Sequence, residues 1–354
     1  MTDLEKLCSR VTEAADCAVI TDDVNRRYFT AMKSSAGTLV VFPEKAYFII
    51  DFRYIEKAKK TVTACEVILQ DKLYEQINSL IEKHGAKTVS VNADTCTLSE
   101  LIAYQQKLNA EVISDTKLAE IIREIRTVKS QEQIEKIIKA QRIAEKGFAH
   151  MLDFIKVGRT EKEIQLELDY YMLKNGAEAL SFDTIALSGS NTSLPHGVPS
   201  DKKVESGEFV LMDFGATYDG WHSDMTRTVC VGKPSDKMKS VYETVLTAQL
   251  SALDAVKASM SGKALDKIAR DIITEAGYGD NFGHSLGHGV GVEIHESPYA
   301  SPSREDILPE NSIVTVEPGI YLEGKFGVRI EDFVVVTENG CINMTKAPKE
   351  LICL

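Results

Sequence analysis

Two hairpin-like segments decide the fold and the chemistry that we predict for this chain: LMDFGATYDGWHSDMTRT at residues 211–228 and VTVEPGIYLEGKFGVRIEDFV at residues 314–334. Each pattern is typical of a strand, a polar or glycine-rich turn and a second strand. Both strands of each segment carry an acid, and these acids are Asp213, Asp224, Glu317 and Glu331. Because apolar residues flank them, we expect half-buried carboxylates, which are costly unless a cation neutralises them. A pair of metal ions would meet that requirement.

The composition is that of an ordinary globular protein. The chain has 354 residues, of which 44% are hydrophobic and 27% charged, and this length suits about two domains. The net charge of −12 argues against a nucleic-acid partner or an anionic membrane surface. The acidic amino-terminal stretch and the absence of about 18 consecutive apolar residues predict neither a signal peptide nor a membrane span. The seven cysteines form no CxxC pair, which favours free thiols in a reducing cytoplasm.

Residues 1–122 alternate short apolar strands with amphipathic helices, and this alternation predicts a compact α/β domain. The predicted strands are 18–21, 38–42, 46–50, 66–69, 88–91 and 111–114. The predicted helices lie near 2–15, 53–60, 73–84 and 97–108. The charged segment 121–129 then changes the pattern, so we place the domain boundary between residues 122 and 123.

Residues 123–354 are expected to form a larger α+β domain. Capping-box patterns begin at Ser130 and Thr160 and predict two helices. Two more helices, near 235–259 and 264–276, precede the second acidic hairpin. Two helices followed by a hairpin therefore occur twice, which suggests an internal pseudo-repeat. Such a repeat would join both hairpins in one sheet and bring the four acids into one site.

Each hairpin allows a second interpretation. Antiparallel pairing can place Asp213 and Asp224 opposite each other, near enough to share an ion, but one acid could instead face solvent. In the second hairpin, alternation puts Arg329 and Glu331 on one face. Arg329 could orient a metal-bound acid or hold substrate, or the two residues could form an ordinary surface ion pair.

Histidines cluster in two stretches rich in glycine or proline. They are His284, His288 and His295 in FGHSLGHGVGVEIHESP, and His196 in SLPHGVPS. The glycines disfavour a regular helix, so the spacing of His284 and His288 is not that of a helical zinc motif. They also permit close approach of the backbone to a cofactor or substrate. A single histidine is more often structural, but four in loops around four acids indicate a functional site.

The acids and histidines, taken with the motifs around them, support a specific family resemblance. Residues 123–340 resemble the metallopeptidases of the pita-bread fold, which include methionine aminopeptidase, aminopeptidase P, prolidase and creatinase. The motifs that carry it are DFGA, SDMTRT, GHGVG, EPGIY and VRIED. The resemblance implies a pita-bread domain with an internal pseudo-twofold repeat. It also implies five metal ligands, which are Asp213, Asp224, His288, Glu317 and Glu331.

The amino-terminal third extends the resemblance. VNRRYFTAMKSSAGTLVVF and AYFIIDFRY look like the first domain of the aminopeptidase P and prolidase branch, and Arg329 before the last ligand is similar to that branch as well. The resemblance therefore implies an exopeptidase that cleaves the Xaa-Pro bond of short proline-containing peptides. It would act through a hydroxide bridging two divalent ions, and a homodimer is expected.

The resemblance also implies roles for individual residues. Asp213 and Glu331 would bridge both ions, with Glu317 as a proton shuttle. His196 and His295 would bind substrate or stabilise the transition state, Arg329 would have a supporting or substrate role, and His284 would be structural or line the proline pocket. Four carboxylates and one imidazole suit Mn²⁺, our first expectation, or Co²⁺, Fe²⁺ or Zn²⁺.

The sequence leaves several alternative functions open. A methionine aminopeptidase is disfavoured by the first domain and by Arg329. A creatinase-like hydrolase of a non-peptide C–N bond would act without metal, and a non-catalytic binding protein would be expected to have lost ligands. Substrate length is undecided between dipeptidase and aminopeptidase. Arg304 is a candidate for recognising a substrate carboxylate, although a solvated arginine is the simpler interpretation.

Overall fold

The computed structural model describes all 354 residues, which divide into two compact units, Met1–Arg126 and Thr127–Leu354. The helices that begin in the first unit are α1 (Asp3–Arg10), α2 (Asp23–Thr30), α3 (Ile55–Thr61), α4 (Leu73–His84), α5 (Leu98–Lys107) and α6 (Lys117–Thr127). Its strands are β1 (Cys17–Ile20), β2 (Thr38–Val41), β3 (Ala46–Ile50), β4 (Glu66–Leu69), β5 (Thr88–Val91) and β6 (Glu111–Ile113). None of the helices in the protein is long and apolar enough to cross a membrane.

The first unit is a three-layer α/β sandwich. Its strands form one mixed six-stranded sheet in the order β4-β3-β2-β1-β5-β6. Side chains alternate between the two faces, as strand geometry requires. Ala18 and Ile20 pack with residues of α1, α2, α3 and α6, whereas Cys17 and Val19 pack with residues of α4 and α5. Each face of the sheet therefore has its own helical layer and its own core.

All six strands and the four helices predicted for this unit are present, and most of their ends agree within a residue or two. The helix predicted for 2–15 is shorter, because it ends at Arg10 and continues as a 3-10 turn, Val11–Glu13. The sequence did not predict α2 or α6, and the boundary predicted after residue 122 falls within α6. Helix α2 lacks an apolar period because Asn25 and Arg26 occupy buried positions. Arg26 is accommodated there by donating to the backbone carbonyl of Ser34 at 2.9 Å, a contact that no periodicity argument can detect.

The second unit contains two pairs of helices, each followed by strands. The helices are α7 (Gln131–Phe154), α8 (Glu161–Lys174), α9 (Asp236–Ala255) and α10 (Gly262–Glu275). The strands between the helix pairs are β7 (Ala179–Leu180), β8 (Ile185–Ser188), β9 (Glu208–Phe214), β10 (Ala216–Tyr218), β11 (Trp221–His222) and β12 (Met225–Val231). The last strands are β13 (Gly287–Gly289), β14 (Glu296–Ala300), β15 (Ile313–Val316), β16 (Gly319–Leu322), β17 (Phe326–Arg329), β18 (Asp332–Thr337) and β19 (Gly340–Asn343).

The two halves of this unit are built alike, as the predicted pseudo-repeat requires. Capping boxes at Ser130 and Thr160 begin α7 and α8, which confirms both sequence signals. In the first half, α7 and α8 pack on the sheet β12-β9-β8. In the second half, α9 and α10 pack on strands that include β15, β16 and β18.

Strand β9 has no polar residue between Phe209 and Met212 because both of its faces are buried. Val210 and Met212 pack in the core under α7 and α8, while Phe209 packs in the core under α9 and α10. A residue on the Phe209 face therefore points toward the second half of the unit. Asp213 lies on that face by the two-residue alternation of a strand.

The prediction that both hairpins share one sheet is wrong. Strands β9 and β12 belong to one sheet, β15 and β18 to a second, and β16 and β17 to a third. The hairpins nevertheless meet through hydrogen bonds, since the N–H of Glu331 donates to the carbonyl of Thr226 at 3.1 Å. The Thr228 hydroxyl also donates to the carbonyl of Arg329 at 3.0 Å. These bonds bring the acids of both hairpins to one place.

Candidate metal centre

The first two acids lie on one face of the first hairpin. The β9–β12 register pairs Asp213 with Thr226. The expectation that Asp213 and Asp224 stand directly opposite each other is therefore wrong by two residues. Asp224 precedes β12 and lies two residues from Thr226. It is therefore the diagonal neighbour of Asp213 on the same face. Asp224 is 4% exposed, which excludes the alternative of a solvated acid.

The other two acids lie where the second hairpin is interrupted. Strands β15 and β18 pair as far as Val316 with Asp332, and β16 and β17 pair from Gly319 with Arg329. Glu317 and Glu331 fall between these two ladders. The break frees both residues from strand pairing, and Glu331 is 1% exposed. Strand pairing resumes at Gly319, directly after Pro318.

One cavity of about 340 Å³ is lined by the five predicted metal ligands and by the other predicted site residues, His196, His284, His295 and Arg329. Within it, single ligand atoms of Asp224, His288 and Glu331 lie within 4.8 Å of one another. His288 Nε2 is 3.3 Å from Glu317 Oε1 and 3.6 Å from Asp224 Oδ2. His288 Nδ1 lies 3.1 Å from the carbonyl of Gly289, which favours the tautomer with a proton on Nδ1 and a free lone pair on Nε2. The imidazole therefore presents a ligand atom to the acids.

Buried oxygen atoms without partners test whether these residues fit a metal. Asp213 Oδ1, Asp224 Oδ1 and Glu331 Oε1 are buried and take part in no hydrogen bond. Buried polar atoms are nearly always paired in folded proteins, and an ion is one of the standard explanations for exceptions. Three such oxygens, on residues that line one cavity together with His288, are hard donors of the kind that divalent cations bind. The residues present fit a divalent metal site.

The pKa values of the acids in the absence of a cation also indicate a metal site. Burial, followed by the charge of Glu331, raises the pKa of Asp224 well above its ordinary range. Burial also raises the pKa of Glu317 to about 8. The carboxylates are therefore held in an environment that disfavours their charge, which is the condition that a bound cation relieves.

Arg329 is the cation that the protein itself supplies. Its Nη2 donates to Asp213 Oδ2 at 2.5 Å, its Nε to Thr226 Oγ1 at 3.0 Å and its Nη1 to the hydroxyl of Tyr321 at 2.7 Å. Arg329 is only 2% exposed, so the alternative of an ordinary surface pair with Glu331 is excluded. Thr226 in turn donates its hydroxyl proton to Glu331 Oε2 at 2.7 Å. One guanidinium thus orients acids of both hairpins.

The histidines occupy three different environments. His284 is packed against Tyr321, with its Nε2 2.9 Å from the hydroxyl and its Nδ1 2.8 Å from the carbonyl of Ser285. Burial lowers the pKa of His284 to about 4 and that of His288 to about 3, so both rings are neutral at pH 7. The His295 ring lies 4.3 Å from the His288 ring. His295 and His196 are exposed at the cavity wall.

Two functional neighbours carry no clear sequence signal. Tyr321 lies within the EPGIY motif, yet only the register of β16 and β17 shows that its hydroxyl joins Arg329 to His284. Behind the acids, the buried Arg227 pairs with Asp332 at 2.7 Å and donates to the carbonyl of Glu331 at 2.6 Å. Arg304 lies outside the cavity lining, with its guanidinium 4.1 Å from the ring centre of Tyr299.

Comparison with known proteins agrees with this geometry. Residues 135–338 match the metallopeptidase family M24, and residues 4–128 match the creatinase/prolidase N-terminal domain. The chain therefore belongs to metallopeptidase family M24, and its fold is the pita-bread metallopeptidase domain preceded by that α/β domain. It is an enzyme of the metallopeptidase class, whose family chemistry implies a divalent metal.

Relatives and solved structures match over nearly the whole chain. The Xaa-Pro dipeptidase of Pyrococcus furiosus is 40% identical, over 99% of each chain. The structure of a Xaa-Pro dipeptidase from Bacillus anthracis superposes with a TM-score of 0.96 and 41% identity, covering 99% of each chain. That of an X-Pro aminopeptidase from Thermotoga maritima superposes with a TM-score of 0.91 and 39% identity, covering 96% of this chain and 98% of its own. Proteins named as dipeptidases and a protein named as an aminopeptidase are thus both similar to this chain.

Proposed function

We propose that the protein is a dinuclear-metal exopeptidase that hydrolyses the Xaa-Pro bond at the amino terminus of dipeptides or short peptides. The observation that carries this proposal is the convergence of four acids and His288 on one cavity, with unpaired carboxylate oxygens and with Arg329 against Asp213. The names of the full-length relatives supply the Xaa-Pro bond.

We assign the metal ligands to the five residues that meet in the cavity: Asp213, Asp224, His288, Glu317 and Glu331. Mn²⁺ is our first expectation, because an oxygen-rich set with one imidazole suits a hard or borderline divalent ion. Two such cations, when bound, would acidify a water molecule and polarise the scissile carbonyl. The remaining chemistry belongs to the side chains of the cavity.

Glu317 is the proposed proton carrier. Without a cation, burial raises the pKa of its carboxyl to about 8, and a bound cation would lower that pKa, so the proposed role rests on the position of Glu317 in the cavity. Its Oε1 accepts from Thr315 at 3.1 Å, which fixes the carboxyl at the cavity wall. In this proposal Glu317 takes a proton from the attacking water and delivers it to the departing proline nitrogen.

His295 and His196 are the proposed contacts to the peptide. Both are exposed to the cavity, and burial lowers the pKa of His295, so its imidazole is a neutral hydrogen-bond donor at pH 7. Such a donor can stabilise the negative charge that develops on the carbonyl oxygen. His284 faces Tyr321 and is proposed to support Arg329 while forming part of the cavity wall.

Selection of proline is proposed to depend on the apolar part of the cavity. The Xaa-Pro bond has no N–H group, and its ring fixes the backbone. Phe182, Ile185 and Ile294 line the cavity together with the acids. These side chains can accept the ring without demanding an amide hydrogen bond.

The test compares hydrolysis of Ala-Pro and Ala-Pro-Ala by Mn²⁺-loaded protein and by a chelated control. Chelator-sensitive cleavage of either peptide is the expected result, and the preferred length distinguishes dipeptidase from aminopeptidase. If neither peptide is cut after loading with Mn²⁺, Co²⁺, Fe²⁺ and Zn²⁺ in turn, the Xaa-Pro assignment is wrong. Peptides that begin with methionine and guanidino compounds then become the substrates to try.

We further propose a cytoplasmic homodimer. All seven cysteines are free thiols, which suits a reducing compartment. Light scattering after size exclusion measures the mass directly, and a mass near twice 39.1 kDa is expected. A monomer at every concentration tested would contradict the dimer while leaving the peptidase assignment untouched.

A further inference from the structure

A fully buried carboxylate outside the metal centre lies at the base of the loop that carries His196. Glu161, the first residue of α8, is 0% exposed. Its Oε1 accepts from the N–H of Ser188 at 2.7 Å, from the Ser188 hydroxyl at 3.1 Å and from Asn191 Nδ2 at 3.0 Å. Its Oε2 accepts from the N–H of Ser200 at 3.0 Å and from the Ser200 hydroxyl at 2.6 Å. One side chain thus binds three residues, Ser188, Asn191 and Ser200, that are distant from it in sequence.

Ser188 and Ser200 flank the segment 189–199, which we call the His196 loop. Ser188 is the last residue of β8, so one end of the loop is continuous with the sheet that carries Asp213. At the other end, the N–H of Lys162 donates to the carbonyl of Ser200 at 3.1 Å. Glu161 and the first turn of α8 therefore close the neck of the loop, as in a compact Ω-type loop.

The far side of the loop rests on the strand that carries Arg329. The N–H of Gly327 donates to Thr192 Oγ1 at 2.8 Å, and Arg329 Nη1 lies 3.4 Å from the carbonyl of Pro195. His196 follows Pro195 directly and lines the cavity. The position of His196 is thus set by two supports, the Glu161 neck and the β17 contact.

At the neck of the loop, both side-chain oxygens of Glu161 must accept hydrogen bonds. An ionised carboxylate only accepts hydrogen bonds, whereas the amide of glutamine carries two N–H donors. Asn191 Nδ2 reaches both oxygens of Glu161, and the backbone N–H of Ser200 faces Oε2. A glutamine amide at either place would point its N–H groups at another N–H donor. Glutamine is therefore the same size but the wrong partner.

We infer that Glu161 is a positioning residue for peptide hydrolysis, one that holds the His196 loop so that His196 reaches the substrate. The inference rests on the proposed function in one respect, the contact between His196 and the peptide. Glu161 itself lies outside the cavity lining and acts only through the loop. A displacement of about 1 Å at a positioning group is enough to cost activity of order 100-fold.

The kinetic test is a double-mutant cycle of Glu161→Gln with His196→Ala. In the otherwise unchanged protein, Glu161→Gln is expected to lower kcat/KM by about 10- to 100-fold. In the His196→Ala background the same change should cost about twofold or less, because residues that act together are not additive. Equal losses in the two backgrounds would show that Glu161 acts on general stability and would overturn the inference.

The matched control is Glu163→Ala. Glu163 lies in the same first turn of α8 and accepts from the N–H of Thr160 at 2.8 Å, so its loss weakens the same helix terminus without touching the His196 loop. This variant is expected to keep kcat/KM within about twofold in both backgrounds. If Glu161→Gln does not fold, Ser200→Ala, which removes one donor to Glu161, takes its place in the same cycle.

Amide hydrogen exchange supplies a readout that does not depend on activity. Exchange at 188–200 should become at least about tenfold faster in Glu161→Gln and stay unchanged in Glu163→Ala. Unchanged exchange in Glu161→Gln would overturn the inference even if activity fell. If the unmodified protein cuts no Xaa-Pro peptide, the proposed function fails, yet the exchange data still show whether Glu161 holds the loop.

Discussion

The guanidinium of Arg329 lies 2.5 Å from the carboxylate of Asp213, measured from Nη2 to Oδ2, and both groups are largely withdrawn from solvent. The pair joins the end of β17 to the end of β9, two strands that belong to different sheets. Because Arg329 also contacts Thr226 and Tyr321, its fork restrains several groups of the cavity at once. The arrangement makes Arg329 a structural part of the proposed metal centre.

Arg329→Lys is therefore expected to impair catalysis although the charge is kept. A lysine ammonium cannot reproduce the planar fork that donates to Asp213, Thr226 and Tyr321 together. We expect kcat/KM for an Xaa-Pro peptide to fall about 100-fold, which is about 2.7 kcal/mol of transition-state stabilisation. Arg53→Lys is the control, because Arg53 pairs with Asp51 at an exposed site. A loss of less than about threefold in Arg329→Lys would contradict this role.

Metal affinity should depend on pH in a defined direction. Without a cation, the pKa of Glu317 is raised to about 8, so its carboxyl holds a proton at neutral pH that a cation must displace. Affinity for Mn²⁺ is expected to fall as pH drops below about 8, with proton release on binding. Titration calorimetry in buffers of different ionisation enthalpy measures the released protons. Glu317→Gln should bind more weakly and with a flatter pH dependence; an unchanged pH profile in this variant would assign the protons to other groups.

Removing the Tyr321 hydroxyl should affect catalysis more than folding. Tyr321→Phe leaves Arg329 Nη1 and His284 Nε2 without their shared partner. We expect kcat/KM to fall by about 10-fold and the free energy of unfolding by about 1–2 kcal/mol. Tyr278→Phe is the control, since the Tyr278 hydroxyl accepts only from the exposed Lys237 at 2.6 Å. Equal effects of the two changes on kcat/KM would refute a role for Tyr321 at the site.

The buried pair of Arg227 and Asp332 should dominate the stability of the second unit. Arg227→Met leaves Asp332 with Lys349 as its cation and removes a donor from several backbone carbonyls. Breaking a buried ion pair on one side costs about 3–5 kcal/mol of unfolding free energy. Urea unfolding can be followed by fluorescence, because the single tryptophan, Trp221, is buried in this unit. Lys263→Ala, which breaks an exposed pair with Glu305, should change the same quantity by about 1 kcal/mol or less.

Divalent metal should stabilise the folded second unit. Asp224 and Glu331 are buried with unpaired oxygens, and a cation bound there favours the folded state by mass action. At a free Mn²⁺ concentration 100 times the dissociation constant, the gain is about 2.7 kcal/mol. Thermal unfolding followed by Trp221 fluorescence should shift to higher temperature with Mn²⁺ and back with a chelator. Asp224→Asn should abolish most of the shift; if it keeps the full shift, the stabilising ion binds elsewhere.

The site residues could be read from the sequence because strands impose a simple rule. An acid on an otherwise apolar strand is conspicuous, and alternation shows which neighbours share its face. The four acids and Arg329 were recognisable in this way, whereas four histidines were recognised by their clustering in glycine- and proline-rich stretches, and all of these residues line the cavity. The capping boxes at Ser130 and Thr160 were equally visible, since they depend on residues three apart.

Other features could not be predicted because they depend on register and on contacts distant in sequence. The pairing of Asp213 with Thr226, rather than with Asp224, follows from the number of residues that the turn absorbs. Helix α2 escaped detection because its buried Arg26 is satisfied by backbone carbonyls and not by an apolar period. Glu161 is one of two acids in the first turn of α8, and nothing in the sequence indicates its contacts with Ser188 and Ser200.

The sequence by itself determined the family, the two-domain order and the chemical character of the site, because these depend on residue types at short spacings. Only the tertiary structure decided how the hairpins meet. Their backbones join across separate sheets, Tyr321 connects Arg329 to His284, and Glu161 closes the His196 loop. Each of these contacts joins segments that are far apart in the chain, and hydrogen bonding is set by distances and angles that exist only after the core has packed.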